Sequence, residues 1–149
     1  MSLASLLTDQ QQRIDELISL LSSEQNLLTQ GDIDGEALSK VALDKQSLMT
    51  ELERIETVRR NVQKRLGYAD GADGAKTAAH DAGCQTAWKS LLEKSERASR
   101  MNELTGQMLS VRMKHNQAML DYIRQIAEKT LYRPDGRNSA QPCRINASA

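Results

Sequence analysis

The stretch LLTQGDIDGEAL (residues 27–38) separates two leucine-rich segments and decides the fold. Before it, over residues 3–30, apolar residues recur every three or four positions and form a stripe with two polar members, Gln10 and Glu24. The stripe consists of Leu3, Leu7, Gln10, Ile14, Leu17, Leu21, Glu24 and Leu28. Within LLTQGDIDGEAL, Gly31 is typical of a helix C-cap, and Asp32 or Asp34 can cap a following helix. A short link between two long helices predicts an antiparallel hairpin.

The second helix is predicted over residues 35–66, where the same spacing continues. Its stripe consists of Leu38, Val41, Lys45, Leu48, Leu52, Ile55, Arg59, Val62 and Leu66. We expect the two basic members, Lys45 and Arg59, to lay their stems along the seam and to reach solvent with their charges. A strict seven-residue repeat favours left-handed supercoiling of the pair.

The composition changes after the second helix. Residues 67–84 (GYADGADGAKTAAHDAGC) are rich in Gly, Ala and Asp, which predicts a mobile connection with one helical turn near residues 76–80. A third helix is predicted over residues 85–131, approaching ~70 Å in length unless Gly106 bends it. Residues 132–149 are expected to form a disordered tail. The prediction is a single all-α domain over residues 1–149, a hairpin plus a long third helix in a three-helix bundle or coiled-coil-like arrangement.

The third helix has an unusually wide apolar sector. At ~100° per residue, its apolar residues cover roughly 200°, against about 100° for an ordinary surface helix. One face holds Met101, Leu104, Met108, Val111, Ala118, Met119, Tyr122 and Ile126, and the neighbouring face holds Leu109, Met113, Leu120, Ile123, Ala127 and Leu131. Contact with both hairpin helices would need about this much surface. Alternatively, part of the sector faces outward for another protein's helix, which the flexible Met side chains favour.

Composition and charge exclude several classes of function. Charged residues make up 27% of the chain, and 20 basic residues balance 20 acidic ones, which argues against binding nucleic acid or an acidic membrane. No segment approaches the ~20 apolar residues of a membrane span, and the N-terminus lacks the pattern of a signal peptide. We therefore expect a soluble, cytoplasmic protein without direct membrane insertion, and with free thiols at Cys84 and Cys143.

Catalytic and metal-binding motifs are absent from the sequence. There is no phosphate-binding glycine motif and no nucleophile elbow. His80 and Cys84 share a spacing of four, but two ligands do not make a zinc site. His115 suggests a phosphotransfer bundle, yet HNQAM lacks the Lys and Gly of the HxxKG pattern, so we interpret it as a half-buried histidine. The sequence predicts a protein-binding helical protein that is not an enzyme and needs no cofactor or metal.

The ordered set of segments resembles the FlgN family of flagellar export chaperones over nearly the whole chain. The resemblance is carried by QGDIDGEALSKV, by DKQSLMTELERIETVRR, by NELTGQML with Asn102, Gly106 and Leu109, and by HNQAMLDYI. It ends in TLYRPDG (residues 130–136), similar to the family's Thr-Leu-Tyr-Gly motif. In this sequence Arg133 and Pro134 stand where the family has Gly followed by Ala or Pro. Loss of that Gly removes easy access to positive φ after the Tyr, and Pro134 favours a clean end of the helix.

The resemblance implies a function and two sites. Members of this family bind the hook–filament junction proteins FlgK and FlgL before export and bring them to the export gate protein FlhA. The implied client-binding residues lie on the third helix: Met108, Val111, Met119, Tyr122, Ile123 and Ile126. The implied gate-docking residues are Leu131 and Tyr132. We expect a monomer or weak homodimer; the alternative is a coiled-coil adaptor whose stripes serve self-assembly.

Overall fold

The chain is all-α, as predicted. The computed structural model describes residues 2–131, the last two by their backbone only. Over this range it has four helices: α1 (Leu3–Thr29), α2 (Gly35–Arg65), α3 (Ala72–Asp81) and α4 (Gln85–Leu131). The long helices begin and end within a residue of the predicted bounds, whereas α3 replaces the predicted connection. The expected tail lies outside the described residues.

The chain divides into two units by its internal contacts, Met1–Leu109 and Ser110–Ala149. The first unit contains α1, α2, α3 and the first part of α4, and the described part of the second is the remainder of α4. The prediction of a single domain over the whole chain stays a prediction.

Helix α1 provides the central face of the core. Every member of its predicted stripe is buried, the polar Gln10 and Glu24 included. Ser2 is the N-cap of α1, and its hydroxyl accepts from the amide of Ser5 at 3.1 Å; Asp34 is the N-cap of α2, and its carboxylate accepts from the amide of Ala37 at 3.0 Å. The expected cap at Gly31 is wrong, because the helix ends with Gln30 as an extended C-cap residue and Gly31 keeps a negative φ.

A partly buried ion pair joins α1 to α2. Lys45 Nζ lies 2.9 Å from Glu24 Oε1 and 3.2 Å from Asn102 Oδ1 of α4. The Lys45 side chain is 20% exposed and that of Glu24 only 6%. The polar interruptions of the two stripes therefore meet each other, and the expectation that Lys45 extends its charge to solvent is wrong because a carboxylate lies within its reach inside the seam.

A second polar cluster lies at the opposite end of the hairpin. Because Glu24 contacts Lys45 whereas Gln10 contacts Glu56, α1 and α2 run antiparallel. Arg59 donates to both carboxylate oxygens of Glu56, at 2.9 and 2.7 Å, and to Gln63 Oε1 at 2.8 Å. Glu56 also accepts from Gln10 Nε2 of α1 at 2.8 Å. The Arg59 guanidinium carbon lies 4.9 Å from the Trp88 ring centroid, within cation–π range. The expectation that Arg59 reaches solvent is wrong: the residue is 5% exposed.

The electrostatics of this cluster favour the ionised form of Glu56. Burial opposes ionisation, but hydrogen bonds from Arg59, Gln10 and Arg60 outweigh it and lower the pKa of the carboxyl. Because the pKa in the folded protein lies below that of the unfolded chain, the resulting stabilisation is present above the unfolded pKa and is lost as the pH falls through the folded one.

The first part of α4 runs parallel to α1. Gln11 Nε2 donates to the carbonyl of Ala87 at 2.8 Å, and Gln25 Nε2 donates to the carbonyl of Met101 at 3.2 Å. Between these contacts, Trp88, Leu91 and Ala98 enter the core beside Ile14, Leu17 and Leu21. Side-chain amides thus connect two helices whose apolar residues share one core.

Helix α3 corrects the prediction of a mobile connection. Its Ala75, Ala78 and Ala79 are buried in the core, since small side chains allow its backbone to approach closely. The bends on either side of α3 are formed by Gly67 and Gly83, which adopt φ values of 87° and 71°. Gln63 secures the segment before α3 by donating to the carbonyl of Ala69 at 2.6 Å. The Gly and Ala content of this segment, which predicts a loop, permits tight packing of a helix instead.

Gly74 and Gly106 form a matched pair for testing this packing. A Cβ at Gly74 would collide with the carbonyl oxygen of Ala69 and lie 2.9 Å from Gln63 Nε2, whereas a Cβ at Gly106 would meet nothing within 4 Å. We expect Gly74→Ala to lower the free energy of unfolding by about 2 kcal/mol through overpacking. Gly106→Ala should raise it by up to about 1 kcal/mol through helix propensity. Urea unfolding measures both, and equal effects would contradict close packing at Gly74.

Candidate partner-binding surface

Among the described side chains of α4, buried ones occur only in the first part of the helix, up to Thr105. Trp88, Leu91, Ala98 and Thr105 are buried, and Met101 is half-buried against the same core. Gln25 Nε2 also lies 3.3 Å from Thr105 Oγ1, so α1 contacts α4 up to this turn. These contacts account for the buried residues of α4 between residues 85 and 105, whereas Leu92 and Leu104 in the same part are 50% and 48% exposed.

The second unit carries a series of exposed apolar side chains on α4. Their exposed fractions range from 40% at Ile123 to 65% at Val111. We call the following set the α4 apolar surface: Val111, Met113, Met119, Leu120, Tyr122, Ile123 and Ile126. Contiguous exposed apolar residues of this kind are typical of surfaces that bind another protein.

The two explanations of the wide apolar sector can now be separated by position. Contact with the hairpin explains the sector only in part up to Thr105, where Met101 is half-buried against the core but Leu104 is 48% exposed. It does not explain the α4 apolar surface, where every large apolar side chain is exposed within the part of the chain that the structure describes. This surface matches the alternative in which part of the sector faces outward.

The predicted client-binding residues fall into two groups. Val111, Met119, Tyr122, Ile123 and Ile126 belong to the α4 apolar surface, and Met108 is half-buried in the first unit. Met113 and Leu120 were not selected from the sequence, although the same helical projection contains the signal, since both lie on the neighbouring face. Their contribution to binding stays a prediction, as does that of the others.

The predicted docking residues lie at the limit of the structure. Leu131 is the last residue of α4, and only its backbone is described. Tyr132 lies outside the described residues. The prediction for this pair therefore rests on the sequence motif TLYRPDG alone.

The histidines and Cys84 show no arrangement suited to metal binding. His115 is exposed, so the interpretation as a half-buried histidine is wrong. His80 is exposed while Cys84 is buried, with its thiol 3.4 Å from the carbonyl oxygen of Ala82. Over residues 2–131, no group of three or more His, Cys, Asp or Glu side chains is placed to hold a metal ion.

A groove between α1 and α2 is lined by charged residues that include Asp44 and Glu51, and these have partners of their own. Glu51 pairs with Arg54 at 2.7 Å, and Asp44 pairs with Lys40 at 2.9 Å. The hydrogen bond from Arg54 is the main reason why the pKa of Glu51 is lowered. These solvent-exposed pairs are typical of a solvated helix surface. The groove thus offers weaker evidence for a binding site than the α4 apolar surface.

The fold and its exposed surface define a class of protein before any comparison is made. An all-helical chain with an exposed apolar helix face is typical of proteins that act by binding other proteins. None of the described helices is long and apolar enough to cross a membrane.

Comparison with known proteins identifies the family. The family model described as FlgN protein matches residues 1–140. The chain is 28% identical to the flagella synthesis protein FlgN of Salmonella typhimurium strain LT2 over 126 residues, covering 85% of this chain and 82% of that protein. It is 26% identical to the protein of the same name from Escherichia coli K12 over 137 residues, covering 92% and 90%. No solved structure matches the chain. The chain belongs to the FlgN family, and its role is in flagellum assembly.

Proposed function

We propose that this protein is a type III flagellar export chaperone for the hook–filament junction proteins FlgK and FlgL. It binds their C-terminal helices in the cytoplasm, prevents premature association and delivers them to the export gate protein FlhA. The observation that carries the proposal is the exposure of the α4 apolar surface in the second unit. A chaperone needs an apolar surface that its own fold leaves uncovered.

The mechanism requires burial and no bond chemistry. A free client helix exposes an apolar face, which favours self-association. Covering that face stabilises the complex by about 25 cal/mol per Å² of buried apolar area, offset by the cost of ordering both partners. Because the client must be released at the gate, we expect an affinity between micromolar and nanomolar, equivalent to roughly 8–12 kcal/mol.

Gate docking is assigned to a separate site at the end of α4. The support is the resemblance of TLYRPDG to the family's Thr-Leu-Tyr-Gly motif, which gives the docking role to Leu131 and Tyr132. The client surface ends at Ile126, about one helical turn before Leu131, so client and gate can bind different residues.

Size-exclusion chromatography with light scattering tests the client-binding function directly. Alone, the protein should elute as a monomer or weak dimer, and with FlgK it should form a heterocomplex. A coiled-coil adaptor would instead give a stable oligomer whose mass does not change with concentration and would not bind FlgK.

In the same assay, Tyr132→Ala should keep the FlgK complex and reduce binding to the cytoplasmic domain of FlhA. Equal weakening of both complexes would contradict two separate sites.

A further inference from the structure

A groove within the first unit lies between α2 and α4, with α1 at its base. We call it the Trp88 groove, and its apolar lining consists of Ile14, Leu52, Trp88, Leu91 and Leu92. Its volume is about 350 Å³, which is within the range of ligand pockets. Leu92 is 50% exposed, so part of this apolar lining is open to solvent.

One hydrogen-bond acceptor in the lining of the Trp88 groove has no partner. Gln10 is 5% exposed, and its Nε2 donates to Glu56 Oε2 at 2.8 Å. This bond fixes the orientation of the amide, because an ionised carboxylate only accepts and would repel the amide oxygen. Gln10 Oε1 is buried and has no hydrogen-bond partner among the described residues. Since nearly all buried polar atoms of folded proteins have a partner, this atom points to a donor on a bound molecule.

A carboxylate without a counter-ion lies at the rim of the same groove. Glu53 lines the groove and is exposed, and over residues 2–131 its carboxylate makes no ion pair. The neighbouring cations of α2 are engaged elsewhere: Arg54 pairs with Glu51. Arg60 pairs with Glu56. Glu53 precedes Glu56 by three residues, or ~4.5 Å along the helix axis, so the free carboxylate lies about one turn from the Gln10 amide.

We propose that the Trp88 groove binds a segment of another protein in which a large apolar side chain is followed by Lys or Arg. The apolar side chain contacts Leu52 and Leu92, a backbone amide of the segment donates to Gln10 Oε1, and the cation lies against Glu53. An acidic segment would instead bring like charges together, which disfavours it. The Trp88 groove belongs to the first unit and the α4 apolar surface to the second, so this segment is additional to the client helix.

The groove contains its own spectroscopic probe. Trp88 is the one tryptophan of the chain, so the full-length protein gives a single indole N–H signal in NMR that reports occupancy. Two synthetic peptides are titrated to about 10 mM, which covers the millimolar affinity expected of so small a contact. Both contain two leucines, followed by Lys in one and by Glu in the other. The Lys peptide should move the signal to saturation and bind about threefold more tightly than the Glu peptide. No saturable movement with the Lys peptide, or equal affinities, overturns the proposal.

Matched arginine substitutions locate the bound peptide. Leu92→Arg places a charge in the groove and should weaken the Lys peptide at least about tenfold. Leu43→Arg makes the same change at a leucine of α2 outside the groove and should alter the affinity less than about twofold. Leu92 and Leu43 are 50% and 72% exposed, so both variants should keep the fold, which circular dichroism checks. Equal affinities of the two variants overturn binding in the Trp88 groove.

Two further variants test the polar contacts. Glu53→Gln should remove the preference for the Lys peptide, and a preference that persists overturns the contact with Glu53. Gln10→Met removes the acceptor and should weaken both peptides about fivefold. Unchanged affinity would mean that a water molecule satisfies Gln10 Oε1, which overturns the amide contact.

Met119→Asp separates this site from the proposed client-binding function. Met119 belongs to the α4 apolar surface, so its substitution should leave the movement of the Trp88 signal unchanged. Loss of peptide binding in this variant would assign the peptide to the client surface and overturn a second site. Failure of the wild type to bind FlgK would overturn the client-binding function, whereas the peptide titration would still decide the Trp88 groove.

Discussion

Replacing Arg59 by alanine is expected to lower the free energy of unfolding by about 3 kcal/mol, because a buried guanidinium loses its bonds to the partly buried Glu56 and to Gln63 together with its packing. The guanidinium is bonded to Glu56 and Gln63 and lies over the Trp88 ring. Its loss leaves the Glu56 carboxylate without its two-point partner and removes the Arg59 contact with Gln63, which also binds the segment before α3. Urea unfolding followed by circular dichroism measures the effect.

Arg60→Ala is the matched control for this prediction. Arg60 is the next residue and also contacts Glu56, with 3.1 Å between Nε and Oε1, but its side chain is 70% exposed. An exposed pair contributes little, so we expect a loss below about 0.5 kcal/mol. Because the pKa of Glu56 is lowered by folding, the difference between wild type and Arg59→Ala should narrow as the pH falls through that pKa. Similar losses for the two alanine variants would contradict a dominant role for the buried network.

The polar members of the stripes show what periodicity can and cannot predict. The heptad spacing predicted that Gln10 and Glu24 occupy the buried face of α1, and both do. It could not predict their partners, because the register between α1 and α2 depends on the geometry of the link at residues 30–34. Once that register is set, Glu24 meets Lys45, and Gln10 meets Glu56. The heptad spacing identifies the buried face of one helix, whereas a contact between helices also depends on how the second helix is aligned with the first.

The prediction of a mobile connection before α4 is wrong for a different reason. Its many Gly, Ala and Asp residues are common in loops, but Ala also has the highest helix propensity. The outcome depends on tertiary contacts that no local pattern contains: Gln63 binds the carbonyl of Ala69, and Gly74 allows that carbonyl to lie against α3.

The candidate surface was partly predictable from helix lengths. The width of the apolar sector was visible in the sequence, and α4 has 47 residues against 27 in α1. At 1.5 Å per residue, α1 extends about 40 Å and α4 about 70 Å, so α1 is too short to cover all of α4. The turn at which burial ends depends on side-chain contacts such as that between Gln25 and Thr105.

Replacing Met119 by aspartate is expected to weaken FlgK binding by at least about 100-fold, or roughly 3 kcal/mol. Met119 lies within the α4 apolar surface and is 49% exposed in the protein alone. In a complex, the introduced carboxylate would be buried against an apolar client face, which is costly without a partner. Because Met119 is exposed before binding, the free energy of unfolding should change by less than about 0.5 kcal/mol. Calorimetry with FlgK and urea unfolding of the free protein measure the two effects.

Ser110→Asp provides the comparison on the polar strip of the same helix. Ser110 is exposed and precedes Gln117 by seven residues, so the two share the polar side of α4. Ser110→Asp therefore introduces the same charge on the side opposite the α4 apolar surface. We expect less than about a twofold change in FlgK affinity, since exposed surface substitutions of this kind are usually nearly neutral. If Met119→Asp keeps the wild-type affinity, the α4 apolar surface is not the client site. If both variants lose affinity equally, added negative charge on α4 explains the loss better than burial does. Only a loss specific to Met119→Asp, with an unchanged fold, assigns client binding to the apolar side of α4.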